Sequence, residues 1–295
     1  KGAEIVVLLS HNGFDVDQKL ATMIEGIDVI LTGHTHDAIP KAIRINKTLL
    51  LSSGSHGKYL GRIDLEVKNG KVVETSSNLI PIFSDVIPPD PEISNLINKV
   101  RAPFETECNR VIGETETLLY RRGNFNGSWD DIICDSIIQE RDTEISLSPG
   151  FRWGTTILPG QKITIDDIYS QTAMNYPEVY RVEMSGKMIK EILEDVCDNI
   201  FNPDPFFQQG GDMVRVGGIK YTCSPKNEMG KRISNLRIAS TDQPLETSKK
   251  YIVGGWGSVN PDVNGPPIYS ILEKYISEKK VINSKKSEIV EVLGM

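Results

Sequence analysis

All four histidines of the 295-residue chain lie within its first 56 residues. His11 directly follows the apolar run 5–10, and His34 and His36 directly follow the apolar run 28–32. If these runs are parallel strands, their carboxyl ends meet at one edge of a sheet, which is where open α/β sheets bind ligands. Imidazole is a ligand for Mn, Fe, Zn, Co or Ni rather than for Ca or Mg. The pattern therefore predicts a transition-metal site that uses His11, His34 and His36.

The spacing within this cluster favours two metal ions over one. In Gly33-His34-Thr35-His36 the two imidazoles stand at positions i and i+2, so in an extended loop they diverge enough to reach different ions. Three histidines leave two ions short of ligands, and carboxylates or amides usually complete such sites. The chain has no Asp-x-His or Gly-Asn-His motif, so we expect sequence before Lys1 to supply the rest. The alternative is a set of hydrogen-bonded loop histidines that hold no metal.

The elements that must position these histidines are those of an α/β unit. Residues 5–9 are apolar and β-branched, which predicts a buried parallel strand. Residues 15–24 have a helical apolar period, with Asp15 or Asp17 available as the N-cap. A second apolar run at 28–31 completes a strand–helix–strand unit. His56 follows a further predicted strand at 49–52, where a site-lining role and a structural role are equally open.

The rest of the chain shows a change of pattern after about residue 80. Residues 60–67 and 71–74 predict a hairpin that turns at Asn69-Gly70. The stretch 81–91 holds four prolines, and residues 92–111 then predict a long helix with one buried apolar side. We therefore predict an α/β (α+β) protein with domains at 1–83 and 113–295 and a linker helix within 84–112. Helices are also expected at 130–140 and 186–200.

Composition excludes several classes of function. Lys plus Arg number 33 and Asp plus Glu number 40, so the formal charge is −7. The chain therefore lacks the excess of positive charge that a protein needs to coat nucleic acid or an anionic membrane. Its apolar runs are far shorter than the ~20 residues of a membrane helix. No two of the four cysteines form a Cys-x-x-Cys pair, and we expect them to be buried free thiols.

Several motifs resemble a known family. Ser10-His11-Asn12-Gly13, followed by Gly33-His34-Thr35-His36, resembles the second half of the calcineurin-like metallophosphoesterase pattern. A linker helix before a separate C-terminal domain is similar to the 5′-nucleotidase branch. Three further segments, 123–127, 148–154 and 209–218, are most similar to the SoxB thiosulfohydrolases within that branch. The resemblance covers the whole chain but begins partway through the metal domain. It implies the C-terminal part of a metallophosphoesterase sandwich, followed by a mixed α/β 5′-nucleotidase-type domain.

The resemblance also implies an activity. Two Mn²⁺ ions would be bound, His11 and His34 holding one and His36 the other, and a metal-activated hydroxide would release sulfate from a cysteine-S-thiosulfonate on the SoxYZ carrier protein. Such enzymes are periplasmic. The family's catalytic histidine would precede Lys1, so we expect the 295-residue chain alone to be inactive. A 5′-nucleotidase or cyclic-nucleotide phosphodiesterase is the alternative activity, and a non-enzymatic binding fragment is a third interpretation.

Substrate recognition is expected in the C-terminal domain. Arg152 is the first candidate, because its guanidinium matches an oxyanion such as sulfonate or phosphate, unless it simply stacks on Trp153. Asn124 lies in a loop expected to reach the same cleft. Arg215 is a weaker candidate whose alternative is a solvated ion pair. Trp256 would either stack on a ligand or fill the core, and the second interpretation is slightly favoured.

Overall fold

The computed structural model describes residues 2–121, 123–151, 154–208, 211–260, 262–284 and 287–294. The chain forms two compact units, which are Lys1–Val100 with Asn202–Gly210, and Arg101–Phe201 with Gly211–Met295. The predicted domain limits, 1–83, 84–112 and 113–295, remain a prediction, because compact packing is a different property from independent folding. The mixed α/β class predicted from the sequence is confirmed.

The first unit is built on a four-stranded sheet in the order β1-β2-β4-β3. Its elements are β1 (Val7–Ser10), α1 (Phe14–Met23), β2 (Val29–Thr32), β3 (Ile43–Ile45), β4 (Thr48–Ser52), β5 (Tyr59–Lys68), β6 (Lys71–Pro81) and α2 (Pro91–Arg101). Strands β1, β2 and β4 are parallel, and β5 pairs with β6 through the predicted turn. Ala21, Ile30 and Leu50 form the centre of its core. The predicted strand–helix–strand unit is therefore confirmed.

Two expectations for this unit are wrong in detail. Strand β1 is not buried, because it lies at the edge of the sheet and Leu9 is 83% exposed. Neither Asp15 nor Asp17 caps α1, since Gly13 occupies the N-cap position without a side-chain hydrogen bond. Asp17 is instead fully buried under the loop that follows β1.

The predicted helix over 92–111 is also wrong as a single element. The structure has α2 up to Arg101, then a separate short helix, α3 (Glu105–Cys108), and Val111 already begins a strand. Pro103 explains the interruption, because proline lacks a backbone donor and disfavours the helical region for the residue before it. No residue of α2 is buried, so the expected burial of its apolar side is not found.

The second unit contains three sheets flanked by helices. Its elements after α3 are β7 (Val111–Thr115), α4 (Ser128–Arg141), β8 (Ile145–Ser148), β9 (Lys162–Thr164), α5 (Ile165–Gln171), β10 (Tyr180–Ser185), α6 (Gly186–Ile200), β11 (Arg215–Gly217), β12 (Ile219–Cys223), β13 (Ile233–Ile238), β14 (Lys250–Gly255), α7 (Ile268–Lys279), β15 (Val281–Ile282) and β16 (Val290–Val292). The strand orders are β10-β14-β8-β11, β13-β12-β16 and β15-β7-β9. Within the described ranges, no helix is long and apolar enough to cross a membrane.

The two helices predicted in this unit are confirmed. The expected helix at 186–200 coincides with α6, and the one at 130–140 lies within α4. Helix α4 packs against β8 and β11, so it is placed beside the sheet that carries the motif segments. The C-terminal strand β16 pairs in parallel with β12 and completes the second sheet.

Candidate functional site

His11 and His34 lie side by side in the first unit, as their positions after β1 and β2 predict. Their ring centroids are 5.1 Å apart and the rings meet at 65°. Two imidazoles that share one ion at a metal–nitrogen distance of about 2.1 Å should have centroids roughly 4.6–5.3 Å apart, for angles between octahedral and tetrahedral. The spacing of the two ring centroids lies within this range.

Backbone contacts hold the two histidine loops together. The Gly33 amide donates to the Ser10 carbonyl at 3.0 Å, which continues the parallel pairing beyond the strand ends. The Phe14 amide donates to the Thr35 hydroxyl at 3.2 Å. His34 itself has a φ of 78°, a left-handed conformation that non-glycine residues adopt mainly where their surroundings enforce it. These contacts tie the loop after β1 to the loop after β2.

Asp17 supports this arrangement from beneath, although the sequence suggested only a cap. Its carboxylate is fully buried. One carboxylate oxygen accepts hydrogen bonds from the Ser10 hydroxyl at 2.8 Å and from the side-chain amide of Asn12 at 3.1 Å. Ser10 and Asn12 are the two neighbours of His11. The second carboxylate oxygen has no hydrogen-bond partner among the described residues. Asp17 therefore fixes both sides of the His11 backbone.

His36 pairs with His56, a partner that the sequence did not specify. Their ring centroids lie 6.0 Å apart, wider than the spacing expected for two neighbouring ligands of one ion. Both residues have positive φ, 61° and 59°, and the Nδ1 atom of His56 lies 2.9 Å from the Ser55 hydroxyl. The Asp37 carbonyl accepts a hydrogen bond from the Gly54 amide at 2.8 Å, which ties the loop that holds His34 and His36 to the loop that holds His56.

The described histidines form two pairs and no larger group of possible metal ligands. Among the residues with described positions, no three His, Cys, Asp or Glu side chains are close enough together to hold a metal ion. A cavity of about 580 Å³ opens at the carboxyl ends of β1, β2 and β4, with His11 and Gly33 in its wall. The metal assignment, His11, His34 and His36 with manganese, remains a prediction.

In the second unit, the three motif segments converge. The Met213 amide donates to the Asn124 carbonyl at 3.0 Å, and the Asp212 amide to the Gly150 carbonyl at 3.3 Å. A Cβ atom on Gly150 would lie 2.4 Å from the carbonyl oxygens of both Asp212 and Met213, so only glycine fits here. The segments 123–127, 148–151 and 211–218 therefore form one assembly.

A buried chain of ion pairs holds this assembly. Arg121 donates from Nε to Asp130 at 2.8 Å, and the Nε atom of Arg215 lies 3.3 Å from the other oxygen of Asp130. Arg215 also donates to Asp212 at 2.9 Å and to the Gly123 carbonyl at 2.8 Å. All four charged side chains are almost inaccessible to solvent. The order Arg121–Asp130–Arg215–Asp212 alternates in sign, which compensates each buried charge.

The structure places both arginines in the interior of the second unit. Arg215 is fully buried, so its ion pairs are internal rather than solvated, and this position favours a structural role over direct contact with a substrate. Arg121 was not singled out, because nothing in its local sequence marks it as buried; it also donates to the carbonyls of Gln171 and Pro149. Arg152 and Trp153 lie outside the described residues.

Trp256 fills the core, the interpretation that the sequence slightly favoured. It is 3% exposed, and its indole nitrogen donates to the buried Ser148 hydroxyl at 2.9 Å. Phe151 packs edge-to-face against it with centroids 6.1 Å apart. One side of Trp256 still borders a mainly apolar cavity of about 450 Å³, which Tyr180 also lines. Burial raises the pKa of the Tyr180 hydroxyl, so it stays protonated.

The two asparagines of the segment 123–127 face different surroundings. Asn124 is exposed, as a residue that reaches a cleft must be. The Asn126 side chain is buried and donates to Asp131 at 3.1 Å and to the Ser287 carbonyl at 3.0 Å. Burial raises the pKa of Asp131, which also accepts from the Ser287 amide at 2.7 Å. Asn126 and Asp131 thus anchor the C-terminal segment.

Comparison with known proteins assigns the fold. Residues 111–257 match the family model of the 5′-nucleotidase C-terminal domain. The chain is 35% identical to Thermus thermophilus sulfate thiohydrolase SoxB, with a TM-score of 0.94 over 100% of this chain and 55% of that one. It is 27% identical to the trifunctional nucleotide phosphoesterase YfkN of Bacillus subtilis (85% of this chain, 18% of the relative) and 24% identical to bovine 5′-nucleotidase (94% and 56%).

Residues 111–257 are thus a 5′-nucleotidase-type C-terminal domain, in a chain whose relatives are hydrolases. The more specific resemblance inferred from the motifs, to SoxB within the 5′-nucleotidase branch, is also confirmed. The chain spans little more than half of SoxB and of bovine 5′-nucleotidase, and less of YfkN.

Proposed function

We propose that the chain is part of a periplasmic di-metal hydrolase that releases sulfate from a cysteine-S-thiosulfonate on the SoxYZ carrier protein. The observation that carries the proposal is the likeness to the SoxB structure, which is 35% identical over the whole chain. The three motif segments that resemble SoxB also meet in one assembly in the second unit. The first observation concerns the whole chain and the second concerns the second unit, and both support the same family.

The first unit would contribute metal ligands. His11 and His34 would hold one Mn²⁺ ion and His36 the other, and the paired ring spacing of 5.1 Å supports the shared ion. When bound, the ions would lower the pKa of a water molecule and stabilise charge that develops on the substrate oxygens. The chain's own part is to aim the rings, through Asp17 beneath the His11 loop and the Gly33–Ser10 backbone pairing.

The second unit would contribute recognition of the oxyanion. Arg152 is the proposed contact, since a guanidinium can bind two sulfonate oxygens at once. It follows Gly150 and Phe151, whose positions are set by the buried assembly around Arg215. The buried ion pairs therefore position residues 148–151, the segment that precedes Arg152 in the sequence. Asn124 is the exposed polar candidate of the segment 123–127.

A 5′-nucleotidase is the second candidate function. The match to the 5′-nucleotidase domain model and the 24% identity to bovine 5′-nucleotidase favour it. The two functions require the same metal chemistry, because sulfonate and phosphate are both tetrahedral oxyanions. They differ in the group that accompanies the oxyanion, which is a peptide arm in one case and a nucleoside in the other.

The deciding experiment measures turnover of both substrates at one manganese concentration. The enzyme would be a protein that contains this chain within its complete reading frame, and the substrates would be carrier-bound thiosulfonate and AMP. We expect hydrolysis of the thiosulfonate, poor hydrolysis of AMP, and a loss of roughly 30- to 1000-fold in rate for Arg152→Ala. The matched control is Arg181→Ala, which removes an arginine from the exposed strand β10 of the same unit.

Two results would contradict the proposal in different ways. Efficient AMP hydrolysis without activity on the carrier would assign the nucleotidase function. Equal activity of the 295-residue chain and of the longer protein would show that the ligand set is complete without further sequence.

A further inference from the structure

Two of the three fully buried cysteines lie in contact within the second unit. Cys197, in the last turns of α6, and Cys223, at the end of β12, have their sulfur atoms 3.5 Å apart. Neither side chain is exposed. Cys134 in α4 is buried to the same degree but has no cysteine beside it among the described residues. The contact is therefore a property of this pair and not of buried cysteines in general.

The surrounding contacts keep the two sulfur atoms together. Glu194 of α6 accepts hydrogen bonds from the backbone amides of Arg232 and Ile233, at 2.9 and 3.0 Å. The Arg232 guanidinium in turn donates to the Cys197 carbonyl at 3.3 Å and to Asp198 at 3.1 Å. Ile233 pairs with Cys223 across the sheet. Helix α6 is thus tied to β12 and β13, which keeps the two sulfur atoms in contact.

The contact couples the acidity of the two thiols. Their hydrogen bond lowers the pKa of one partner and raises the pKa of the other, and burial raises both. The positive charge of Arg232 lowers the pKa of both thiols. Since the thiolate is the nucleophile in disulfide exchange, the sulfur that is deprotonated attacks first.

We propose that Cys197 and Cys223 are a modification site at which a reversible disulfide joins α6 to β12. The oxidant is a disulfide of a low-molecular-weight thiol or of a dithiol protein. The thiolate of one of the two cysteines attacks one sulfur atom of the oxidant, which forms a mixed disulfide and releases one thiol. The other cysteine then loses its proton and attacks the protein sulfur of the mixed disulfide, which releases the second thiol. Two protons and two electrons leave the protein, and the oxidant is reduced to two thiols.

The geometry is within reach of this product. The sulfur atoms are already in contact, and the distance between them must shorten from 3.5 Å to about 2.0 Å. Burial means that the oxidant meets the pair during folding or in a local opening of the sheet. The proposal does not depend on the proposed hydrolase function.

The test is a thiol count on the 295-residue chain. The chain is refolded in glutathione buffers of increasing disulfide fraction, quenched with acid, and alkylated in denaturant with a reagent that adds mass to each free thiol. We expect two of the four thiols to be lost, with the cross-linked peptide mapping to Cys197 and Cys223. This peptide map is made on the wild-type chain, so the result does not depend on whether a variant folds.

Variants and stability supply the controls. Cys134→Ala should still form the cross-link, whereas Cys223→Ala should not. Oxidation of the wild type should lower the unfolding equilibrium constant by about 100-fold, and dithiothreitol should reverse the change. Four alkylated thiols at every buffer ratio, or a cross-link that involves Cys108 or Cys134, would overturn the proposal.

Discussion

Asp130→Asn is the most informative single substitution in the second unit. The Asp130 carboxylate lies between two buried guanidiniums and also accepts the Gly127 amide at 2.8 Å, which caps α4. The asparagine keeps the size of the side chain but removes the charge. Arg121 then has no carboxylate partner among the described residues, and Arg215 has only Asp212.

The size of the effect follows from this burial. Removal of one partner from a buried ion pair costs about 3–5 kcal/mol, because an uncompensated charge stays inside. For a unit of 150–250 residues, each kcal/mol shifts the thermal midpoint by roughly 2–4 °C. We therefore expect the midpoint to fall by about 6–20 °C, measured by the circular dichroism of the 295-residue chain at constant pH.

Two controls identify the cause of that shift. Asp166→Asn removes an equal charge from the exposed pair with Arg101, and the midpoint should hardly move. The double variant Asp130→Asn with Arg121→Met removes one of the uncompensated charges and should recover part of the loss. Additive losses in the double variant, or a fall below about 3 °C for Asp130→Asn, would refute the role of the ion-pair chain.

Three further predictions concern single residues. Asp17→Asn should weaken Mn²⁺ affinity about 10- to 100-fold in a titration followed by electron paramagnetic resonance. The control Asp15→Asn, at an exposed position, should leave that affinity unchanged. Equal effects of the two substitutions would mean that the loss of negative charge alone explains the change. Gly150→Ala should lower the free energy of unfolding, measured in urea, by about 1–3 kcal/mol, because the new Cβ would lie 2.4 Å from two carbonyl oxygens. A urea midpoint equal to that of the wild type would contradict this contact. Burial raises the pKa of Asp131 above its ordinary value of 3.8. The contribution of Asp131 to the stability of the fold is therefore present at low pH, and it is lost as the pH rises from 3.8 through the raised pKa of the folded state. Asp131→Asn should remove that slope, and an unchanged slope in urea melts at several pH values would exclude Asp131 as its source.

Local signals in the sequence predicted much of the fold correctly. The Asn69-Gly70 turn and the alternating residues around it specify the β5–β6 hairpin, because these residues accept the positive φ that the turn needs. Helix α6 was predicted at its observed bounds, since its apolar period is long and uninterrupted. The apolar period also suggested one helix over 92–111, but a single proline at 103 outweighed it.

The candidate site was predictable only where the backbone alone decides it. The positions of His11 and His34 after parallel strands are enough to bring the rings together. Asp17 and Arg121 gave no such signal, because their roles depend on burial by distant segments. The same reason explains Arg215, whose partners Asp130 and Gly123 lie about 90 residues away and whose full burial no local pattern reveals.

The parallel register of β1, β2 and β4 has a consequence for how this site tolerates insertions and deletions. Ser10, Thr32 and Ser52 end the three strands at the same height, and the histidine loops begin at the next residue. Extra residues placed after Pro40, in the loop before β3, would lengthen that loop without moving His34 or His36. A deletion of one residue inside β2 would instead turn every following side chain to the opposite face of the sheet. Changes of length should therefore accumulate outside the strands and be absent within them.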